Sequence, residues 1–416
     1  MFYFNTLFTD LFDMNSIKNI ATLGKSVSGI KPDEIVRDEN FWLKIRAGYR
    51  LKPDFINLEN GYYNFIPEYI LSRFIDHVKE INYEGSFYMR TVQSENKKKL
   101  AARLADLTGC PPDELIITRN TTESLDMIIG GLDWNPGDEA VIAEQDYPCM
   151  LDMFRQVSQR YGVVNKIVSV PNHPNSDEEL VELYENAITE KTKLLMVCHM
   201  INITGQILPV RKISDMAHRK GVLVMIDGAH TVGHIKFTIP ELGGDFFGSS
   251  LHKWLSVPLG AGLLWIRKDN IKNIWPVFAP EDHQSEDDII RLNHTGTHPV
   301  HTDLTINDAI DFYNLIGAER KEARLRYLQQ YWTSRVRNVS GIILNTPEDP
   351  LRSCGIANVS IKGMKPDDLC NVLFKKYRIY CAPVDIANVH GCRITPNIFT
   401  TADELDVLVK ALLELS

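Results

Sequence analysis

Short apolar runs alternate with helix-length amphipathic segments through the middle of the chain. The runs cover 115–117, 140–143, 166–170, 194–198 and 222–226, and the segments between them predict helices at about 122–132, 147–161, 176–188 and 210–220. Continuous apolar strands separated by helices are typical of an α/β fold whose mainly parallel sheet is covered by helices. Because ligands bind at the carboxyl ends of strands in such sheets, the residues that follow each run are candidate site residues.

The pattern changes after about residue 318. A charged helix is predicted over 319–337, followed by strands at 341–344 and 356–361 and a helix near 366–376. Thr401 and Glu404 form a capping box before the last apolar helix. We therefore predict a large domain over 51–317, a smaller C-terminal α+β domain over 318–416, and an N-terminal arm over 1–50 that packs with the small domain.

Composition narrows the function classes. The 416 residues carry a net charge of −9, which argues against nucleic-acid binding because no basic excess is available to neutralise phosphates. No apolar run approaches membrane-spanning length, and we find no signal-peptide pattern. Seven cysteines without a CxxC pair indicate reduced thiols in a cytoplasmic protein and no zinc site. His294, His298 and His301 also lack the spacing of metal ligands, so no metal is predicted.

Lys253 is the residue on which the chemistry depends. It lies in Gly248-Ser-Ser-Leu-His-Lys-Trp254, downstream of Asp227 at the end of an apolar run. A lysine beside small residues, with a carboxylate at a nearby strand end, suits a Schiff base to pyridoxal phosphate (PLP). This cofactor needs an amine for its aldehyde and a carboxylate for its pyridine nitrogen. A solvent-exposed lysine after a strand is the alternative.

Further residues suit the other parts of this cofactor. Thr121 and Thr122, between a strand and a helix, can donate to its phosphate, although Thr121 can equally cap the helix. Ser250 and His252 can add donors. Tyr147 can stack on the pyridine ring or simply pack at a helix start.

Several motifs together resemble the class V aminotransferases of PLP fold type I, closest to their isopenicillin N epimerase-like branch. They are Asp227-Gly-Ala-His230, Ser250-Leu-His-Lys-Trp254, His199-Met-Ile-Asn-Ile-Thr-Gly205, Thr118-Arg-Asn-Thr-Thr-Glu-Ser124, Gln145-Asp-Tyr-Pro148 and Cys392-Arg-Ile-Thr-Pro-Asn-Ile398. The resemblance runs in order from about residue 40 to the end. It implies a PLP enzyme with a large domain and a smaller C-terminal domain.

The resemblance also implies roles for individual residues. Asn202 and His230 are expected near the cofactor, and Arg393 is expected to bind the substrate carboxylate. Asn60, in a turn that resembles the family's N-terminal active-site turn, is expected to contact substrate. Thr297, in His294-Thr-Gly-Thr297, is expected to reach the phosphate of a neighbouring subunit, which implies a homodimer with shared active sites. His298 stands where relatives often carry arginine.

The expected reaction takes place at the α-carbon of an amino acid or amino-acid-derived metabolite, with Lys253 as general base. Transamination, epimerisation and β-elimination remain open, because they differ in where the proton returns or which group leaves. A cysteine desulfurase, with Cys381 as its reactive thiol, is the alternative enzyme, although the segment from Cys381 to Arg393 looks short for a mobile loop. A non-catalytic binding protein on the same fold is the lower alternative.

Overall fold

The computed structural model describes residues 22, 29–279 and 284–416. Its strands are β1 (Ile56–Asn57), β2 (Leu115–Thr118), β3 (Glu139–Ala143), β4 (Val164–Val168), β5 (Thr192–Cys198), β6 (Leu223–Asp227), β7 (Phe246–Ser250), β8 (Gly262–Ile266), β9 (Ile342–Leu344), β10 (Ala357–Ile361), β11 (Ile379–Tyr380), β12 (Ala382–Ile386) and β13 (Val389–Ile394). Its α-helices are α1 (Pro32–Ile35), α2 (Glu39–Arg46), α3 (Glu68–Glu84), α4 (Ser86–Thr91), α5 (Gln93–Thr108), α6 (Thr121–Gly131), α7 (Pro148–Tyr161), α8 (Asp177–Glu185), α9 (Val210–Arg219), α10 (Ile239–Leu242), α11 (Val300–Ile316), α12 (Ala318–Val336), α13 (Pro366–Tyr377) and α14 (Ala402–Leu415).

A seven-stranded sheet in the order β2-β8-β7-β6-β5-β3-β4 forms the centre of the large part of the molecule. Neighbours are parallel from β7 to β4, whereas β8 runs antiparallel to both β7 and β2. Consequently β2, β3, β5, β6 and β7 all point the same way. Their carboxyl ends lie along one edge of the sheet, where the sequence predicted the site.

Helices cover both faces of this sheet because alternate residues of each strand point to opposite sides. Val141 and Ala143 of β3 belong to one core cluster, and Ala140 and Ile142 belong to the other. The predicted mainly parallel α/β architecture is confirmed. One strand differs from expectation: β4 lies at the sheet edge, and its Ile167 is 62% exposed, although its apolar run resembled a fully buried strand.

The C-terminal part has its own core under a four-stranded antiparallel sheet, ordered β12-β13-β10-β9. The capping box predicted at Thr401 is present, since Thr401 and Glu404 satisfy each other's backbone N–H groups. The predicted boundary at 318 falls between α11 and α12, and the division into domains stays a prediction. Within the described residues, no helix combines the length and apolar character needed to cross a membrane.

The described part of the predicted arm contacts the C-terminal helices. Arg324 of α12 pairs with Glu39 of α2 at 2.6 Å, and Arg46 pairs with Glu404 of α14 at 2.7 Å. Residues 1–21 and 23–28 of the predicted arm lie outside the described residues.

Candidate active site

A cavity of about 270 Å³ opens at the carboxyl edge of the large sheet. Its wall includes most of the residues that the sequence singled out: Thr121, Thr122, Tyr147, Asn202, Asp227, His230, Ser250, His252, Lys253 and Arg393. They come from segments that follow β2, β3, β5, β6 and β7, together with β13. The common direction of those five strands explains why residues as distant in sequence as Thr121 and Lys253 meet here, and β13 of the C-terminal sheet adds Arg393.

Lys253 lies at the end of a directed chain of hydrogen bonds. The indole Nε1–H of Trp254 donates to His230 Nδ1 at 3.1 Å, and His230 Nε2 lies 3.2 Å from Lys253 Nζ. Indole nitrogen is a donor only, so His230 Nδ1 must be the acceptor, and neutral His230 carries its proton on Nε2. That proton points at Lys253 Nζ, which can accept it only as a neutral amine.

Burial favours this protonation state. Lys253 lies deep in the wall, and desolvation lowers its pKa from 10.5 to about 8, against the opposing effect of the Asp227 carboxylate. Burial, together with the neighbouring Lys253, also holds the pKa of His230 well below its usual range. The site therefore presents a larger share of neutral Lys253 amine near neutral pH than an exposed lysine would, and the amine loses its proton through pH about 8.

His234 contacts both the His230 backbone and the Trp254 ring. Gly355 N donates to His234 Nε2 at 2.9 Å, so His234 carries its proton on Nδ1, which donates to the His230 carbonyl at 3.0 Å. His234 also stacks on Trp254, with ring centroids 3.7 Å apart. The C-terminal part thus contributes the Gly355 N–H, which fixes the ring that stacks on Trp254.

Asp227 supplies the buried carboxylate expected for a pyridine nitrogen. It ends β6 and accepts from Ala229 N at 2.9 Å. Burial raises its pKa, while the Ala229 N–H and Lys253 act in the opposite direction. A bound pyridinium would add a cation that stabilises the ionised form, so Asp227 fits the cofactor.

The sequence analysis missed Asp146, a second buried carboxyl group near Asp227. Cys198 lines the cavity, and its thiol donates to Asp146 Oδ1 at 3.2 Å. Burial raises the pKa of Asp146 to about 7 and that of Cys198 well above its usual range. Cys198 therefore stays a thiol and acts as a hydrogen-bond donor.

The part of the cavity wall formed by Thr121, Ser250 and His252 suits a phosphate. Asn120 caps α6 by accepting from Glu123 N at 2.8 Å, so Thr121 is not the cap. Thr121 instead bonds to Ser250 through both its backbone N–H and its hydroxyl, at 3.0 and 2.7 Å. His252 Nδ1 is buried without a partner in the same wall. Hydroxyls, a helix N-terminus and an unpartnered imidazole nitrogen together fit the cofactor's phosphate end.

The backbone of β8 lies very close to the loop before α6 in this part of the site. A Cβ on Gly262 of β8 would lie 2.7 Å from Asn120 Cα, so a larger residue there would displace the loop before α6. Glycine at this position therefore lets the loop before α6 lie directly against the sheet.

Arg393 has a partner that the sequence analysis missed. Its Nε and Nη2 donate to the two carboxylate oxygens of Glu59 at 3.2 and 2.6 Å, and its Nη1 donates to the Asn202 carbonyl at 3.2 Å. Both side chains are largely buried, at 11% and 8% exposed. Glu59 thus fixes one edge of the guanidinium group, and two of its five N–H bonds remain available.

The expected substrate contact of Asn60 is corrected by the structure. Asn60 is fully buried outside the cavity wall, and its amide donates to the Thr395 carbonyl at 2.7 Å. It also accepts from Asn57 Nδ2 at 2.8 Å. Asn60 therefore anchors the turn that carries Glu59 and Gly61, because its own polar atoms are used within the protein.

Two other residues from the predictions lie beyond this wall. Thr297 lies in the chain between Thr295 and His298, which line a neighbouring cavity. His298 Nε2 lies 3.0 Å from Asp303 Oδ2, and this hydrogen bond raises the pKa of His298. The homodimer, with Thr297 reaching the partner's cofactor, stays a prediction.

Comparison with known proteins agrees with this geometry. The aminotransferase class V family model matches residues 84–406. An isopenicillin N epimerase from Streptomyces clavuligerus is 24% identical over 387 residues, covering 89% of this chain and 97% of the epimerase. A probable cysteine desulfurase from Halalkalibacterium halodurans is 28% identical over 272 residues, covering 63% of this chain and 65% of that protein.

Solved structures share the fold. The apo structure of a cysteine desulfurase from Thermococcus onnurineus has a TM-score of 0.79 at 19% identity, covering 89% of this chain and 97% of that one. A cystine C–S lyase in complex with cysteine persulfide has a TM-score of 0.78 at 19% identity, covering 87% and 98%. The family match spans most of the sequence, and the fold is that of PLP enzymes of type I. This chain belongs to the class V aminotransferase family and is a PLP-dependent enzyme.

Proposed function

We propose that the enzyme acts at the α-carbon of an amino acid or amino-acid-derived metabolite, as an aminotransferase, epimerase or β-eliminating lyase. The observation that carries this proposal is the contact from His230 Nε2 to Lys253 Nζ, in a cavity that also contains Asp227 and Arg393. A neutral lysine amine next to a buried carboxylate is the arrangement that a proton transfer at an α-carbon requires.

Bound PLP supplies an aldehyde for amines and a ring that accepts the electron pair left by a departing α-proton. Lys253 would hold this group through Nζ, and the same nitrogen would be available to take the α-proton of the substrate. His230 keeps Nζ oriented through its Nε2–H. Asp227 would stabilise positive charge at the pyridine nitrogen, and Ser250, Thr121 and His252 would hold the phosphate end.

Arg393 is proposed to orient the substrate by its carboxylate. Its free N–H bonds lie on the same wall as Lys253, and paired N–H donors match the two oxygens of a carboxylate. Tyr147, a half-buried residue of the same wall, is proposed to stack on the ring.

The positions of Cys381 and Cys198 argue against the cysteine desulfurase alternative. Cys381 Sγ lies 3.4 Å from Cys370 Sγ in the C-terminal core, and Cys381 does not line the cavity. Strands β12 and β13 are joined by Ala387 and Asn388 alone, so no long loop carries a thiol back towards Lys253. Cys198, the cysteine in the wall, is kept protonated by burial. These positions favour reaction at the α-carbon without a cysteine nucleophile.

The visible absorption spectrum tests the proposed function. We expect the purified enzyme to show the yellow band of lysine-bound PLP and to change that band with particular members of a panel of L- and D-amino acids. Conversion to a pyridoxamine spectrum would identify transamination, loss of optical activity would identify epimerisation, and keto-acid release would identify elimination. A band that responds to no amino acid would support the non-catalytic alternative and reject our proposal.

Trp254→Phe tests the hydrogen-bond chain. Phenylalanine keeps the ring stacked on His234 but removes the donor to His230 Nδ1, so the imidazole can protonate Nδ1 and accept from a protonated Lys253 through Nε2. The lysine pKa should therefore rise. In wild type the rate at which cofactor-free enzyme recaptures PLP should increase through pH about 8, as Nζ loses its proton. In the variant this rise should move about one pH unit higher, the equivalent of one hydrogen bond.

Trp265→Phe is the matched control for that experiment. It also removes a buried indole donor, which contacts Glu114 at 2.9 Å away from the cavity. Its pH profile should match wild type. If the Trp254→Phe profile also matched, the indole would have only a packing role.

A further inference from the structure

Three cysteine thiols converge in the C-terminal core. Cys370 lies on α13, Cys381 lies between β11 and β12, and Cys392 lies on β13. Cys370 Sγ is 2.7 Å from Cys392 Sγ and 3.4 Å from Cys381 Sγ, and all three sulfurs lie within 4.8 Å of one another. Three separate elements of the fold therefore direct one sulfur each at the same point.

The catalytic proposal uses none of these sulfurs. Side chains alternate along β13, so Cys392 faces the C-terminal core while its neighbour Arg393 faces the cofactor cavity. Cys381 and Cys392 are buried among apolar residues, and Cys370 is only partly exposed. The cluster is therefore a second chemical feature, separated from the active site by one strand.

We propose that Cys370, Cys381 and Cys392 bind a single thiophilic d¹⁰ metal ion, Zn²⁺ or Cu⁺, through three thiolates. Soft sulfur ligands select these ions over harder cations. With metal–sulfur bonds of about 2.3 Å, sulfurs that share an ion lie roughly 3.8 Å apart. The two contacts of Cys370, at 2.7 and 3.4 Å, are shorter than that value, and rotation of its partly exposed side chain would widen both of them.

The presence of a third cysteine favours a metal site over a disulfide. A disulfide joins two sulfurs and leaves the third without a role, whereas a metal ion uses all three. Binding releases each thiol proton to solvent as its sulfur coordinates, and it needs no oxidant or reductant. The partly exposed side of Cys370 gives the ion a route in and an open position for one further ligand.

The sequence analysis predicted no zinc site because the chain lacks a CxxC pair, whereas Cys381 and Cys392 lie 11 and 22 residues from Cys370. A bound ion would tie α13 and the β11–β12 connection to β13. It would stabilise the strand that carries Arg393 without contacting substrate. Metal content and thermal stability are therefore the relevant measurements, and neither depends on turnover.

The test uses the PLP-loaded enzyme, reduced and stripped with a chelator, then loaded separately with Zn²⁺ and with Cu⁺ and desalted. We expect about one ion per chain for at least one of the two metals, and a Tm that rises with that ion. Uptake by Zn²⁺ alone or Cu⁺ alone identifies the ion. Failure of both overturns the proposal.

Variants assign the uptake to the cluster. The triple variant Cys370→Ser, Cys381→Ser, Cys392→Ser should retain less than about a tenth of the metal. Cys370→Ser, at the most exposed of the three positions, should weaken binding at least about tenfold even if the triple variant does not fold. Cys110→Ser, at a buried cysteine outside the cluster, should retain full binding.

Two results would contradict the metal site. Equal uptake by wild type and by either cluster variant would place the ion elsewhere in the protein. A thiol titration that finds two of the seven cysteines missing without reductant, with no metal uptake after reduction, would show a disulfide instead.

Discussion

Replacement of Lys253 by alanine is expected to lower kcat by about 10³-fold, because it removes the base that takes the α-proton. The same change should abolish the yellow band of lysine-bound PLP, since within the part of the chain that the structure describes no other lysine lines the cavity. Steady-state kinetics with the most reactive amino acid, together with the visible spectrum, measure both effects.

Lys97→Ala provides a matched control for this prediction. Lys97 is a partly buried lysine in the neighbouring cavity, and burial lowers its pKa as it does for Lys253. Its loss should leave the yellow band in place. Lys253→Ala should still bind PLP without a covalent bond, because Asp227, Ser250 and Thr121 are unchanged. A Lys253→Ala protein that kept both the band and turnover would show that another lysine holds the cofactor.

The fold was predictable where local sequence and tertiary environment agree. The runs at 115–117, 140–143 and 194–198 are strands because both faces of the sheet are covered, and their apolar residues are buried. The run at 166–170 was different. Its strand is Val164–Val168 and lies at the sheet edge, a position that depends on strand order and that no local pattern records.

The candidate site was predictable for residues that follow strands, such as Asp227 and Lys253. Contacts between distant segments were not predictable in the same way. Glu59 and Arg393 are 334 residues apart, and only the packing of the N-terminal turn against β13 brings them together. Asn60 shows the converse: its motif was recognised, but its side chain turns inward to Thr395. The chemical type of a residue was readable from sequence, whereas its partner was set by the fold.

Arg393→Ala carries the second large expected effect, on substrate affinity. Glu59 binds the edge formed by Nε and Nη2, and the Asn202 carbonyl accepts from Nη1. One N–H on each terminal nitrogen of Arg393 is then available to bind the substrate carboxylate. Removing this paired contact from a buried site costs about 3 kcal/mol, so kcat/KM for the amino acid should fall about 10²-fold.

The decarboxylated amine of the same substrate separates this role from general damage. Wild-type enzyme should prefer the amino acid by about 10²-fold in kcat/KM, because the amine leaves the guanidinium unpaired. Arg393→Ala should lose that preference and treat both compounds alike. A variant that kept the full preference would show that Arg393 does not bind the carboxylate.

Glu59 complicates the single variant and makes the double variant informative. Arg393→Ala leaves the largely buried Glu59 carboxylate without its cation, which should lower the Tm. Adding Glu59→Ala removes that unpaired charge, so stability should recover, whereas affinity should not, because the carboxylate-binding group is still missing. If affinity recovered together with stability, Arg393 would serve only to neutralise Glu59. Recovery of stability alone would assign two functions to one guanidinium group: a structural pair on its Glu59 edge and substrate binding through its remaining N–H bonds.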